Sequence, residues 1–160
     1  MKIVPLLCLA LLACASAVAE PSAKFQPCPK VTVDVAVNKS SIDYTIAASG
    51  VERKKSVQLE IETQPHVELN DFNFDGLQDF SVWYLDEGMG KYTIHRVFIY
   101  DSKSNDFVEA APRCGDEFLN LRVDESKREL ISTYYVNTQP TSCSTRLKKS
   151  GSTERKRLSK

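Results

Sequence analysis

Short stretches of alternating apolar and polar residues constrain the fold of this chain more than any other feature. Residues 31–37 read VTVDVAV, so valine occupies every second position. A period of two places these side chains on one face of a β-strand, where they can be buried while the intervening residues meet solvent. The pattern therefore predicts a half-buried strand here.

Similar segments recur along the chain and predict a sheet protein. The predicted strands cover residues 31–37, 42–46, 57–61, 80–85, 94–100, 119–123 and 130–136, with a last strand near 143–147. Turn-forming residues separate them, at 38–41, 49–50, 75–76, 87–90, 101–106 and 124–128. Since no stretch keeps a helical period over three turns, we predict an all-β fold: an antiparallel sheet, a sandwich or an open barrel.

The first 19 residues predict export. Residues 3–13 are almost wholly apolar, and the sequence AVA at 17–19 supplies the small-x-small pattern that a signal peptidase recognises. We therefore predict a signal peptide cut after Ala19. Residues 11–14 (LLAC) also resemble a bacterial lipobox, so a lipid anchor at Cys14 is the alternative. Either route places the mature chain in the periplasm or on the outer membrane, where disulfides persist.

Three cysteines remain beyond the predicted signal peptide, namely Cys28, Cys114 and Cys143. An odd number allows at most one internal disulfide. We expect Cys114 to pair with Cys143, because both flank strands in the same half of the chain. Cys28 would then be free or would pair between chains. No spacing of cysteine and histidine indicates zinc.

The net charge of zero conceals two parts of opposite sign. The predicted domain, residues 20–145, holds 13 basic and 20 acidic residues, and residues 146–160 hold seven basic residues and one acid. The domain therefore carries −7 and the tail +6. The polar composition of the tail predicts disorder, and its charge suits a lipid surface or an anionic wall polymer. Nucleic acid is not an expected partner of an exported chain.

Residues 71–79 (DFNFDGLQD) carry the clearest chemical motif. Side-chain oxygens recur at loop positions 1, 3, 5 and 9, with glycine at position 6. Alternate side chains of a tight loop point inward, and the glycine permits the turn that adds a main-chain carbonyl. Hard oxygen donors suit Ca²⁺ at about 2.4 Å. The predicted ligands are Asp71, Asn73, Asp75, Leu77 through its carbonyl, and Asp79.

The loop departs from an EF-hand in two respects. Val82 occupies position 12, where an EF-hand has a glutamate, and the flanking segments are predicted strands. We therefore expect a calcium-binding hairpin with a structural role, in which the ion positions the strand 80–85. The alternative is a metal-free hairpin that is rich in Asx turns.

The string DFNFDGLQDFSVW resembles the calcium motif of FG-GAP and VCBS-type β-propeller blades. It is similar, more narrowly, to a family of small periplasmic β proteins that carry one such loop. Three further segments fit that family: the turn EGMGKY with the strand VFIYD, the phenylalanine after the 101–106 turn, and the hairpin within 118–132. The resemblance covers about residues 65–145 and implies a propeller-blade-like sheet. This chain departs from the family at 145–149, where the family's last strand usually continues and where this sequence instead leads into the basic tail.

The best-known members of that family are immunity proteins, which block lysozyme-like peptidoglycan hydrolases delivered by bacterial secretion systems. The resemblance implies a periplasmic inhibitor that binds such an effector protein. An acidic domain is compatible with this role, because opposite charge steers a basic hydrolase toward it. The candidate contact residues lie in the glycine turn and are Glu87, Met89 and Tyr92.

An enzyme is the less favoured interpretation. His66 and His95 are the only histidines, and neither an HExxH nor a GxSxG motif is present. A glycosidase could pair Glu68 with Asp86 or Glu87. Such carboxylate pairs are abundant in any acidic protein, so we expect a binder and no catalytic residues.

A calcium-dependent cell-wall or carbohydrate-binding module is the remaining alternative. It would need exposed Trp83, Tyr84 and Tyr92, because aromatic rings stack on sugars. Trp83 lies in an apolar segment, which predicts a core position for its side chain.

Overall fold

The computed structural model describes residues 21–86, 88 and 92–149, and it confirms the all-β prediction. The strands in chain order are β1 (Ser22–Phe25), β2 (Val31–Val37), β3 (Ser41–Ala48), β4 (Val51–Gln58), β5 (His66–Asn70), β6 (Asp79–Asp86), β7 (Tyr92–Asp101), β8 (Asp106–Ala110), β9 (Phe118–Asp124), β10 (Glu129–Val136) and β11 (Gln139–Thr145). No helix in the described part is long and apolar enough to cross a membrane. The predicted signal peptide with its Cys14 alternative, the residues Glu87 and Met89, and the tail from 150 onward lie outside the described residues.

The strands form two antiparallel sheets. β1 to β4 make a four-stranded sheet in chain order. The other seven strands make a curled, half-barrel sheet with the order β11-β10-β9-β7-β6-β5, and β8 pairs with β7. Chain neighbours are therefore mostly spatial neighbours, as short hairpin connections require.

The first hydrophobic core contains residues from both sheets. Valines at alternate positions of β2 meet Tyr44 and Ile46 of β3 and the phenylalanines Phe80, Phe98 and Phe107 of the second sheet. Phe80 and Phe98 stack with ring centroids 4.7 Å apart. The half-buried strand predicted at 31–37 is therefore confirmed, because every valine in it is buried.

A second core occupies the opposite face of the seven-stranded sheet. It contains Phe72, Val97, Ile99, Phe118 and Leu130. Val97 and Ile99 alternate along β7 with Phe98, which belongs to the first core. Because β7 is apolar on both faces, it can separate the two cores and is the central strand of the molecule.

The prediction of a strand at 57–61 is wrong in its position. The strand found there is β4, Val51–Gln58, and only its last two residues overlap the predicted range. Ser49 and Gly50 both have positive φ, at 51° and 79°, and form a two-residue hairpin turn. That turn sets the register from Ala48 opposite Val51 onward. The sequence of β4, VERKKSVQ, is mostly polar, as an edge strand can be. It therefore lacks the apolar alternation by which the other strands were predicted.

Three short strands have no counterpart in the sequence prediction, and the last strand of the chain begins and ends earlier than predicted. The missing strands are β1, β5 and β8, which have four or five residues each. The last strand, β11, runs from Gln139 to Thr145 and contains Pro140. Since β11 pairs only with β10, this proline lies in an edge strand, where a missing N–H is tolerated.

The predicted disulfide Cys114–Cys143 is confirmed. It ties the connection between β8 and β9 to the edge strand β11, and the amide of Arg113 donates to Thr145 Oγ1 at 2.9 Å beside it. Cys28 is the free cysteine of the described residues; it is half-buried, with Sγ 3.6 Å from the hydroxyl of Tyr100.

The first four residues of the predicted tail contact the body of the protein. Arg146 Nε donates to Glu129 Oε1 at 2.8 Å, and Leu147 packs against the second core. Residues 146–149 therefore belong with the domain.

Replacing both Cys114 and Cys143 by serine is expected to lower the free energy of unfolding by about 3–4 kcal/mol, because the bridge restricts the unfolded chain across a separation of 29 residues. Urea unfolding of the oxidised protein measures the loss. Cys28→Ser is the control, since Cys28 lies outside the bridge. If Cys28→Ser lowered the free energy of unfolding by the same amount, the loss could not be attributed to the Cys114–Cys143 bridge.

Candidate functional site

The loop 71–78 connects β5 to β6 and is organised by its own acidic side chains. Asp71 Oδ1 accepts a hydrogen bond from the amide of Asp75 at 3.0 Å, and Asp71 Oδ2 accepts one from Gly76 at 2.7 Å. Asp75 Oδ1 in turn accepts from the amide of Leu77 at 2.9 Å. Gly76 has φ of 91°, which a residue with a Cβ rarely adopts, so glycine is required at loop position 6.

Asn73 is the buried member of this loop, with 3% of its surface exposed. Its Oδ1 accepts from the amide of Asp75 at 3.1 Å, the same amide that donates to Asp71. Its Nδ2 donates to Asp75 Oδ2 at 2.9 Å. The oxygens of loop positions 1 and 3 therefore converge on one main-chain nitrogen, and the side chain of position 5 lies next to them.

Asp79 is fully buried at the start of β6 and directs both of its oxygens to main-chain amides. Its Oδ2 accepts from the amide of Phe72 at 2.9 Å, and its Oδ1 accepts from Tyr100 at 2.8 Å. Burial raises the pKa of Asp79 to about 7; the two amide donors oppose this, and the negative charges of Asp75 and Asp71 add to it. A positive charge near this carboxyl would remove the main cost of ionising it.

The donor set fits a hard divalent cation. The loop offers carboxylate and amide oxygens and no nitrogen or sulfur ligand, and each carboxylate oxygen that accepts one hydrogen bond keeps a further lone pair. The described residues contain no group of three Asp, Glu, His or Cys side chains already gathered as a metal site. The structure thus brings Asp71, Asn73 and Asp75 together and directs Asp79 to main-chain donors, while ligation of calcium stays a prediction.

Sequence reasoning missed the contacts that the loop makes with distant parts of the chain. The side chain of Arg128, in the turn after β9, donates to the carbonyl of Phe74 and lies over its ring, 5.6 Å from the centroid. Asn73 Nδ2 also donates to the carbonyl of Lys148 at 3.3 Å. The cluster of aromatic residues and asparagine at 72–74 is the only local signal that this loop is buried on one side.

The predicted partner turn is only partly described, but one of its residues has a defined contact. Tyr92 is half-buried, and its ring meets Tyr135 edge-on with centroids 5.6 Å apart. Tyr135 is 40% exposed and its neighbour Val136 is 46% exposed. Leu85, near the end of β6, is exposed to a similar degree. Leu85 pairs with Thr93 and therefore lies on the other face of the sheet from Tyr92, which pairs with Asp86. Tyr92 and Tyr135 thus form a partly exposed aromatic pair at the end of the sheet opposite the loop 71–78.

The glycosidase pair is not brought together. Glu68 pairs with Ser81 across β5 and β6, so Asp86 lies five residues further along the strand and on the other face. Five strand residues span about 17 Å. Glycosidase carboxyl groups lie roughly 5–9.5 Å apart, so Glu68 and Asp86 do not form such a pair.

Trp83 is half-buried and lies outside both cores, contrary to the core position expected for it. His66 and His95 flank it on the two neighbouring strands. The indole centroid is 4.1 Å from the ring of His66 and 6.1 Å from that of His95, with nearly parallel planes. The indole is therefore stacked closely on His66, while His95 lies farther away on the other neighbouring strand.

His95 is buried, with only 8% of its surface exposed, and its Nδ1 atom has no hydrogen-bond partner. Burial lowers the pKa of His95 to about 4, because a charged imidazole is poorly solvated there. The ring is therefore neutral over most of the physiological range.

The chain matches no protein-family model, no curated protein and no solved structure. The resemblance to calcium-loop immunity proteins therefore depends on its motifs alone.

We expect His95 to make the protein less stable in acid. Between pH 6.5 and 4 the unfolded chain binds a proton at His95 that the folded chain does not, so this group's contribution to stability falls as pH falls through that window. The loss reaches about 3 kcal/mol at most. Urea unfolding at pH 7, 5.5 and 4.5 measures it; His95→Phe should have the smaller pH dependence, and an unchanged slope would contradict the assignment.

Proposed function

We propose that this protein is an exported inhibitor that binds and blocks an antibacterial peptidoglycan hydrolase, with calcium as a structural ion in the loop 71–79. The observation that carries the proposal is the aromatic pair formed by Tyr92, which is half-buried, and Tyr135, which is 40% exposed; we call this pair the apolar patch. Tyrosines held in place by packing are common anchors of protein interfaces, because little side-chain entropy is lost when they bind.

An acidic groove of about 450 Å³ lies at the same end of the sheet. Its walls include the carboxylates of Glu60, Glu62 and Asp86 together with the half-buried side chains of Ile61 and Tyr84. Acidic rims around apolar residues favour a basic partner, and the predicted domain carries −7 overall. Cell-wall hydrolases are often basic because their substrate is anionic, so the charge of this surface is complementary to theirs.

The partner test uses the hydrolase encoded next to this protein's gene. The protein should bind that hydrolase and inhibit it, and Tyr135→Ala should raise the Kd about 30-fold, as loss of a hot-spot residue worth about 2 kcal/mol does. Val51→Ala is the matched control, because Val51 is 62% exposed but lies on the edge of the other sheet. Calorimetric titration and a turbidity assay of wall lysis supply the two measurements.

Two results would contradict the inhibitor proposal. One is failure of the protein to bind the neighbouring hydrolase. The other is sedimentation with purified peptidoglycan in the absence of any protein partner, which is the behaviour of a cell-wall-binding module. The ring of His66, stacked 4.1 Å from the indole of Trp83, covers an aromatic face that such a module would use to bind a sugar.

Calcium should stabilise the folded protein. At a concentration 100-fold above its Kd, binding to the folded chain alone raises the free energy of unfolding by about 2.7 kcal/mol. We therefore expect a chelator to lower the melting temperature of the wild type but not of Asp75→Ala. The control is Asp124→Ala, which removes a turn aspartate with similar local hydrogen bonds and should keep the calcium response. A chelator-insensitive wild type would reject the site.

A further inference from the structure

A groove of about 340 Å³ lies between the β7–β8 hairpin and residues 147–149, and we call it the β8 groove. Its apolar lining consists of Ile99, Val108, Ala110 and Leu147. Ile99 and Val108 are directly opposite each other in the pairing of β7 with β8, so their side chains share one face of the sheet. Ile99 is 9% exposed and belongs to the second core, whereas Val108 is 59% exposed. The groove therefore continues the second core outward to the surface and leaves an exposed valine for an apolar group to cover.

Three lysines line the same groove, namely Lys103, Lys148 and Lys149. A lysine can lay its alkyl stem along an apolar surface while its ammonium group stays in water. This residue type is therefore suited to the border of an apolar groove, where it adds positive charge without closing the apolar part.

The two acidic residues of the groove, Asp101 and Glu109, do not cancel this charge. Glu109 is paired with Arg96, whose Nε and Nη2 donate to its two carboxylate oxygens, each at 2.7 Å. Asp101 accepts within its own turn, from the amide of Lys103 at 3.1 Å and from the hydroxyl of Ser104 at 2.9 Å. With Arg96 balancing Glu109, the three lysines outweigh the one remaining carboxylate by two charges.

We propose that the β8 groove binds a single-chain anionic amphiphile, whose alkyl chain covers Val108 and Leu147 and whose carboxylate or phosphate group lies among the lysines. Ligand sites in proteins have volumes of roughly 300–1,000 Å³, so a groove of this size suits one short alkyl chain. Opposite charge favours an anionic head group here, although the predicted domain carries −7 overall. The same lysines would repel a basic hydrolase, so this inference is independent of the proposed function and of calcium.

Calorimetric titration of the full chain with four soluble probes tests the ligand chemistry. Octanoate and octyl phosphate, kept below their micelle concentrations, should each bind with one molecule per chain, and the tighter of the two distinguishes a fatty acid from a phospholipid head group as the source. The uncharged 1-octanol has the same alkyl chain, and its Kd should be about tenfold higher. Decanoate should bind about tenfold more tightly than octanoate, because it removes two more methylene groups from water.

Val108→Asp tests the position of the site. Because Val108 is 59% exposed, aspartate adds negative charge to the groove without burying it, and it should raise the Kd for octanoate about tenfold by repelling the anion. Val51→Asp is the matched control. Val51 is 62% exposed and also lies in an edge strand, but in the other sheet, so this variant should bind octanoate as the wild type does.

A pair of lysine substitutions tests the charge. Lys103→Gln combined with Lys149→Gln should raise the Kd for octanoate about fivefold, as the loss of two exposed ionic contacts does, and should leave the Kd for 1-octanol unchanged. Lys54→Gln is the control, since it removes an exposed lysine from β4 in the other sheet.

Four results would overturn the inference. The first is that neither octanoate nor octyl phosphate binds. The second is equal affinity for octanoate and 1-octanol, which would show that the site does not select an anion. The third is wild-type affinity for octanoate in Val108→Asp, which would place the ligand elsewhere on the chain. The fourth is wild-type affinity for octanoate in the double lysine variant, which would separate the head group from the lysines.

Discussion

The buried carboxylate of Asp79 connects the two hydrophobic cores of this molecule through main-chain hydrogen bonds. One of its oxygens accepts from Phe72, which enters the second core, and the other accepts from Tyr100, which belongs to the first. A charge in such a place is costly unless it is compensated. Two main-chain donors compensate part of the cost, and burial still raises the pKa of Asp79 to about 7. This one side chain therefore holds the loop, through Phe72, against β7, through Tyr100.

The loop is consequently a point where several distant segments meet. The amide of Gln78 donates to the carbonyl of Pro27 at 3.3 Å, which connects the loop to the four-stranded sheet. Arg128 and Lys148 contact it from the two C-terminal hairpin regions. The apolar patch lies at the other end of β6, seven residues and about 23 Å away. The loop and the apolar patch therefore lie at opposite ends of the same strand.

Features that depend on neighbouring residues in the chain could be predicted from the sequence, whereas features that depend on distant residues could not. The strand at 31–37 was predicted correctly because valine alternation is local and its buried face is obvious. The disulfide was found because few cysteines leave few pairings. The strand β4 was misplaced, since its residues are polar and its register comes from the Ser49-Gly50 turn. The core position expected for Trp83 was wrong because an apolar segment does not reveal which neighbours stand beside it.

By itself the sequence determined the all-β class, the apolar strands, most turns and the oxygen donors of residues 71–79, since each of these depends on residues close together in the chain. Only the tertiary structure decided how the strands divide between two sheets, why β7 separates two cores and where Asp79 directs its oxygens. It also placed the Lys148 carbonyl beside Asn73. Such contacts join residues far apart in the chain, and they arise only when strand pairing and side-chain burial are satisfied together.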